Sequence, residues 1–288
     1  MAHLLIGFMR LVAPWPLPLV RGLGWLLGAL LYCLAIRRRH IVDVNLRLCF
    51  PHWTRLQRRH MAWRHFIAFG QSVLDRAWLW HAPEAVLSRR LQWAGDQQGL
   101  AAPGPLIIFA PHFVGLDAGG LAVSMALRPA AVSFIFVAQS NPVVEAWVRA
   151  GRERTGNTRP YFRREGMRKI LAGLHRGDAL HLSPDMDFNR EESIFVPFMG
   201  VQAATVPSLS RLARVAQARV VPVVTRMTPA GYTIEAHAPI EAFPTDDLMA
   251  DTARMNELLA GLIHTMPEQY HWVHRRFKTR PEGEPGVY

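Results

Sequence analysis

The sequence predicts an α/β protein: a mixed, largely parallel sheet flanked by helices, with an N-terminal membrane-anchoring helix. Three observations carry that expectation. Short apolar runs of strand character recur from about residue 105, helical stretches separate them, and the first 40 residues are strongly apolar.

The N-terminus sets the first element. Gly22 to Ile36 is uninterrupted and apolar, bracketed by Arg21 and Arg37, and shorter than the roughly 20 residues that cross a bilayer comfortably. Leu4 to Val20 would lengthen it, but Arg10, Pro14, Pro16 and Pro18 interrupt. No small-residue cleavage site follows, and a triple arginine does, unlike a secretory signal. Residues 1–40 therefore read as an anchor, either a short span or an interfacial helix, with the arginine-rich side in the cytoplasm. A buried core helix competes; Trp15, Trp25 and the "IRRRH" edge favour the membrane.

Residues 41–100 read as helical, with apolar residues at three and four spacing and basic residues between them. The strand runs are "PLIIFA", "AVSFIFVA", "DALHLS", "RVVPVVTRM" and "YTIEAHAPI". Helices are expected over Gly119–Leu127, Pro142–Arg154, Gly166–Arg176, Ser208–Ala218 and Leu248–Met266. There is no repeat, low-complexity tract or linker, so residues 41–288 form one domain.

Half of the 288 residues are hydrophobic, and the formal charge is +11. That balance suits an anionic partner: nucleic acid, an anionic membrane surface, or an acidic protein or substrate. Nearly all the positive charge is arginine, which codon bias would also produce, but the net charge remains. Cys33 and Cys49 make neither a disulfide framework nor a four-ligand zinc site.

Three clusters could carry chemistry. In "APHFVGLDAGG", His112 and Asp117 stand where a strand emerges. A histidine there can act as general base, and a nearby carboxylate can accept its other N–H and stabilise the imidazolium. With no G-x-S-x-G elbow in the chain, the nucleophile would belong to the substrate, such as a hydroxyl. A structural histidine at a helix start is the alternative. In "HLSPDMDFNREESIFVPFMG", Asp185 and Asp187 form a D-x-D that could hold a metal against a nucleotide-sugar phosphate or be a strand-end turn. The apolar "SIFVPFMG" suggests a lipid-facing groove. Arginines gather at Arg152, Arg154, Arg159, Arg163, Arg164 and Arg168, and again at Arg275, Arg276 and Arg280 beside aromatics. They suit phosphate or nucleic acid, or form a solvated basic face.

In this order the pieces resemble the lipid A late acyltransferases (lauroyl and myristoyl transferases) of Gram-negative bacteria, within the lysophospholipid acyltransferase superfamily. The resemblance runs over nearly the whole chain, and includes "VNLRLCFP", the H-x4-D of "HFVGLD", "SPDMDF…S-x-FVPF-x-G" and "HRRFKTRPEG". It implies a lysophospholipid acyltransferase-like fold over residues 41–288. It also implies transfer of a fatty acyl chain from acyl carrier protein to a hydroxyl of a 3-hydroxyacyl chain on the di-Kdo tetra-acylated lipid A precursor. His112 would deprotonate that hydroxyl and Asp117, where many members carry Glu, would orient His112. Arg163, with Arg164, Arg275 and Arg276, would bind the anionic substrate, and Asp185 and Asp187 would have a structural or acceptor-positioning role. No metal and no cofactor are implied, nor any nucleic-acid partner. The site would face the cytoplasmic leaflet of the bacterial inner membrane, with oxyanion donors among the backbone N–H groups of Phe113 to Gly120. Competing functions are a lysophospholipid or other glycolipid acyltransferase, a D-x-D glycosyltransferase, and a basic membrane-associated nucleic-acid-binding protein.

Overall fold

The computed structural model describes residues 1–162 and 167–288. Two apolar helices, α1 (Ala2–Val12) and α2 (Leu17–Leu34), are followed by α3 (Ile36–Cys49), which runs through residue 40, and the long α4 (Arg55–His81). Pro14 and Pro16, which cannot donate into a helix, fall in the α1–α2 turn. Thr54 starts α4 with a capping box: its hydroxyl accepts from the Gln57 N–H while the Gln57 side chain accepts from the Thr54 N–H. Then come α5 (Glu84–Arg90), β1 (Leu91–Gly95), α6 (Gln98–Ala101), β2 (Leu106–Phe109), α7 (Leu116–Ala126), β3 (Val132–Phe136), α8 (Pro142–Glu153) and β4 (Thr158–Phe162). The chain continues through α9 (Met167–His175), β5 (Ala179–Leu182), β6 (Ile194–Phe198), β7 (Val201–Thr205), α10 (Ser208–Ala216), β8 (Arg219–Thr228), β9 (Gly231–Ala236) and α11 (Leu248–Thr265).

Seven strands make one sheet in the order β1-β9-β8-β2-β5-β3-β4. Every neighbouring pair is parallel except the β8–β9 hairpin, so the expected mixed, largely parallel sheet is what forms. The central strands read as continuous apolar runs because helices cover both faces: all four residues of β2 and of β5 are buried. One core cluster joins α3, α9, α10 and α11 to the sheet, and another joins α1, α2, α4 and α7.

The strand count exceeds the expectation. Residues 91–95, read as helical, form β1, and "TRPYF" forms β4 on the sheet edge, where Pro160 costs no interior ladder bond. "SIFVPFMG" is not an open groove wall. It pairs with residues 201–205 as a two-stranded antiparallel unit whose Val196 and Phe198 are buried.

Candidate active site

The sheet register builds the site. β2 and β5 are adjacent and parallel, with Phe109 opposite Leu182. Three residues beyond each lie His112 and Asp185, so strands that end side by side deliver an imidazole and a carboxylate to the same place. His112 Nδ1 stands 2.8 Å from Asp185 Oδ1, and the His112 backbone N–H donates to Oδ2 at 3.1 Å. Asp185 is fully buried, and its charge helps hold the neighbouring Tyr270 hydroxyl well above its ordinary value, after burial itself. Burial alone would push this carboxyl up, but His112, through its ring and its backbone N–H, outweighs it and pulls it down to about 2. A carboxylate only accepts, so Nδ1 carries the proton and Nε2 keeps its lone pair.

His112 lines a cavity of about 1100 Å³ together with Asp117, Arg152, His181, Trp80, Gly120, Leu121, Phe134, Ile170, Leu212 and other apolar side chains. That exceeds the roughly 300–1,000 Å³ common for small-molecule sites. A mostly apolar wall with a few convergent polar groups suits long acyl chains carrying a reactive polar end.

Asp117 does not meet the expectation that it accepts the N–H of His112. It sits in the first turn of α7 and binds two guanidiniums: Arg76 Nε at 2.8 Å on one oxygen and Arg152 Nη2 at 2.9 Å on the other. Burial raises this carboxyl, but Arg152 and Arg76 prevail and hold it well below the usual carboxylate range. The physical reason is position. The loop of residues 110–115 separates Asp117 from the strand end, and α7 holds it toward Arg76 of α4 and Arg152 of α8, whereas Asp185 faces His112 across neighbouring strands.

The remaining expected residues scatter. Asp187 accepts from the Thr279 N–H and hydroxyl, and its own N–H donates to His274 Nε2, so it fastens the C-terminal segment. Arg276 is 1% exposed and donates to the Ala204 carbonyl and the Thr205 hydroxyl. Arg275 stacks on Tyr288, 5.9 Å from its ring centroid. Neither lines the cavity. Arg163 and Arg164 lie outside the described residues. Of the arginine run, Arg154 caps α4 through the Leu79 and Ala82 carbonyls, Arg159 pairs with Asp178, and Arg152 reaches the cavity. Among the proposed oxyanion donors, the N–H groups of Phe113, Val114, Leu116 and Gly119 are already given to Pro111, Gln269, Phe113 and Gly115 carbonyls. The N–H groups of Gly115, Asp117 and Ala118 are left, at the positive end of the α7 dipole.

Sequence reasoning missed Arg76, His181 and Tyr270, and the pairing of Asp185 with His112. His181, one register step inside β5 and 4.9 Å from the Phe134 ring centroid, is pushed down to about 4 by burial, Arg152 and His112, and stays neutral in the cavity wall. The signal that could have found Asp185 was its offset: Pro111-His112 and Pro184-Asp185 each follow an apolar strand run at once.

Comparison with known proteins gives the chain a family. Residues 1–279 match the family described as bacterial lipid A biosynthesis acyltransferase. The chain is 32% identical to the lipid A biosynthesis lauroyltransferase of Escherichia coli (strain K12), over 98% of this chain and 93% of the relative. It is 31% identical to the palmitoleoyltransferase of the same strain, over 98% and 92%, and 29% identical to its myristoyltransferase, over 88% and 78%. The crystal structure of a Thermotoga maritima 1-acyl-sn-glycerophosphate acyltransferase overlays with a TM-score of 0.40 at 14% identity, covering 87% of this chain and 97% of that one, a likeness on which no reading of the site rests. By its match over nearly its whole length, this chain belongs to the bacterial lipid A biosynthesis acyltransferases.

Proposed function

We propose that the protein transfers a fatty acyl group from acyl carrier protein to a hydroxyl of a 3-hydroxyacyl chain on the di-Kdo tetra-acylated lipid A precursor, at the cytoplasmic face of the bacterial inner membrane. The observation that carries the mechanism is the buried Asp185 committed to His112 Nδ1, which leaves Nε2 as the base on the wall of a large apolar cavity. Nε2 takes the proton of the acceptor hydroxyl as its oxygen attacks the thioester carbonyl. The charge that forms on His112 is met by Asp185. The tetrahedral oxyanion is met by the first turn of α7 and by Arg152, which Asp117 holds on the cavity wall. Collapse expels the carrier thiolate, which takes the proton back from His112, leaving ester and free thiol. Asp117 acts one step removed: it holds Arg152 and Arg76 in place. A net charge of +11 complements an acidic carrier protein and a phosphorylated, carboxylated lipid.

The test is transfer in vitro, with the di-Kdo tetra-acylated precursor, a panel of acyl carrier protein thioesters and mass analysis of the lipid, comparing wild type with folded His112→Ala and with chelator added. One acyl chain gained by wild type, lost in the variant and indifferent to chelator is expected. Gain only on glycerolipid acceptors would sink the acceptor assignment, and product from His112→Ala would sink the base.

A further inference from the structure

We propose that the protein selects a donor acyl chain bearing a hydroxyl close to its thioester, with His181 as the residue that recognises it. The selection rests on the acyl-transfer reading of the site and adds the chemical class of the donor. The cavity wraps the strand ends and touches both faces of the sheet. Ile170, Leu182 and Leu212 pack in the core on one face, and Trp80, Leu121 and Phe134 in or against the core on the other. The second side also holds the first turn of α7 and Arg152, the groups that meet the thioester oxygen. The donor chain therefore runs along α7, and the acceptor takes the other side.

The α7 side is not wholly apolar. β5 alternates, so Leu180 and Leu182 enter one core while His181 turns to the other face, toward Phe134 and Gly120. His181 is 6% exposed and lines the cavity, and its ring has no hydrogen bond to another residue among those described. Gly120 keeps Nε2 uncovered. A Cβ there would stand 3.8 Å from Nε2 and 3.1 Å from the Phe134 ring, and its nearest neighbours are these two side chains rather than backbone of another element. Gly119 beside it has a packing reason, since its Cβ would run into Thr225 Oγ1 at 2.1 Å. A glycine inside a helix is unfavourable, so the opening at Gly120 is kept against helix propensity.

Burial, Arg152 and His112 push the ring down to about 4, so it is neutral, with one N–H and one lone pair. A hydroxyl both donates and accepts, and so pairs with Nε2 in either tautomer. A methylene laid over Nε2 would instead leave a buried polar atom without a partner, which disfavours a plain chain. The charges of Arg152 and His112 both reach the ring, and these are the groups at the thioester carbonyl. The hydroxyl therefore belongs at C2 or C3 rather than at the tail. It is a spectator of the transfer: the thioester C–S bond breaks, the ester C–O bond forms, and the chain keeps its own O–H.

The test compares acyl carrier protein thioesters of one dodecanoyl chain, plain, 2-hydroxylated or 3-hydroxylated, as donors to the di-Kdo tetra-acylated precursor. Wild type should favour a hydroxylated donor in kcat/KM by about tenfold to a hundredfold. His181→Phe keeps a ring against Phe134 and should abolish the preference, losing rate with the hydroxylated donor and gaining it with the plain one. His181→Gln, whose amide still donates and accepts, should retain part of it. Gly120→Ala leaves His181 in place and sets a methyl over Nε2, so it too should lower the preference, and the answer does not hang on one variant folding. A wild type that favours the plain chain, or a preference that His181→Phe leaves intact, overturns the proposal. An equal loss with all three donors in His181→Phe also overturns it, and gives Nε2 to the pantetheine arm that every donor shares. Transfer from no donor, or transfer that survives His112→Ala, would instead sink the acyl-transfer reading beneath it.

Discussion

A carboxylate that touches one nitrogen of an imidazole decides what the other nitrogen can do. Asp185 is fully buried and bonded to His112 Nδ1, so replacing it with Asn offers an amide that can donate to Nδ1 and turn the ring the wrong way. We expect Asp185→Asn to lower kcat by about 10²- to 10⁴-fold with little change in fold, measured by single-turnover transfer beside a circular dichroism check. Asp117→Asn should behave differently. Its arginine partners are 34% and 35% exposed and can rehydrate, so the loss of stability is about 1–2 kcal/mol. With Arg152 released from one anchor, its effect should fall on transfer rate without the change of pH profile that the Asp185 variant shows. A changed pH profile in Asp117→Asn with none in Asp185→Asn would mean that Asp117, not Asp185, orients the base. The residue types were legible in the sequence; their pairing was not. His112 and Asp117 share a six-residue segment, and that closeness suggested a dyad, while the true neighbour lies 73 positions away.

At the scale of elements, what could be read and what could not divides along the strands. β2, β5 and the middle of β8 were visible as apolar runs because they are buried on both faces, β9 by its near-alternation, and β3 by an apolar run that is buried only at its start. β1 and β4 lie at the two edges of the sheet, so their burial is partial and their pattern faint; Pro160 disguised β4 further. Strand order follows from long-range packing, which no local pattern encodes, and it is the order β2-β5 that makes the site. The same limit applies to the N-terminus. Its apolar character was plain, yet the docking of α2 on the body turns on the contact of Arg21 with Asp75, 54 positions on. That seam is testable. Gly28→Ala should force α2 off α4, because the new methyl meets backbone rather than a side chain that can turn away. A loss of about 1–3 kcal/mol is expected, read as a lowered urea midpoint. Gly22→Ala, where a Cβ meets nothing within 4 Å, should match or exceed wild type. Equal effects at both glycines would mean that the close approach of α2 and α4 contributes nothing.

Across the whole molecule, the site is surrounded by histidines held neutral. His65, His181 and His274 are each pushed down to about 4, and His271 to about 3, with burial the largest cause in every case. His65 Nδ1 meets the Glu268 carbonyl at 3.0 Å and His274 accepts from Asp187, so two of the four also bind the C-terminal segment to the body as neutral rings. The unfolded chain would protonate all four near pH 6.5. Between about 6.5 and 4 the unfolded state therefore binds up to about four more protons than the native state, and stability must rise with pH across that window. Their contribution is complete above about pH 6.5 and drains away as pH falls toward 4. Asp185, whose native carboxyl is pulled down to about 2 from an ordinary 3.8, adds a second loss below that. Urea unfolding measured from pH 8 to pH 4 should show a midpoint that is level at first and then falls steeply below about 6.5. In His65→Asn the amide nitrogen can still donate to the Glu268 carbonyl while one titration is gone, so the slope should lessen by about one proton. A midpoint that stays level to pH 5 would show that these rings are hydrated and charged in the native protein, and that the wall around His112 is not dry.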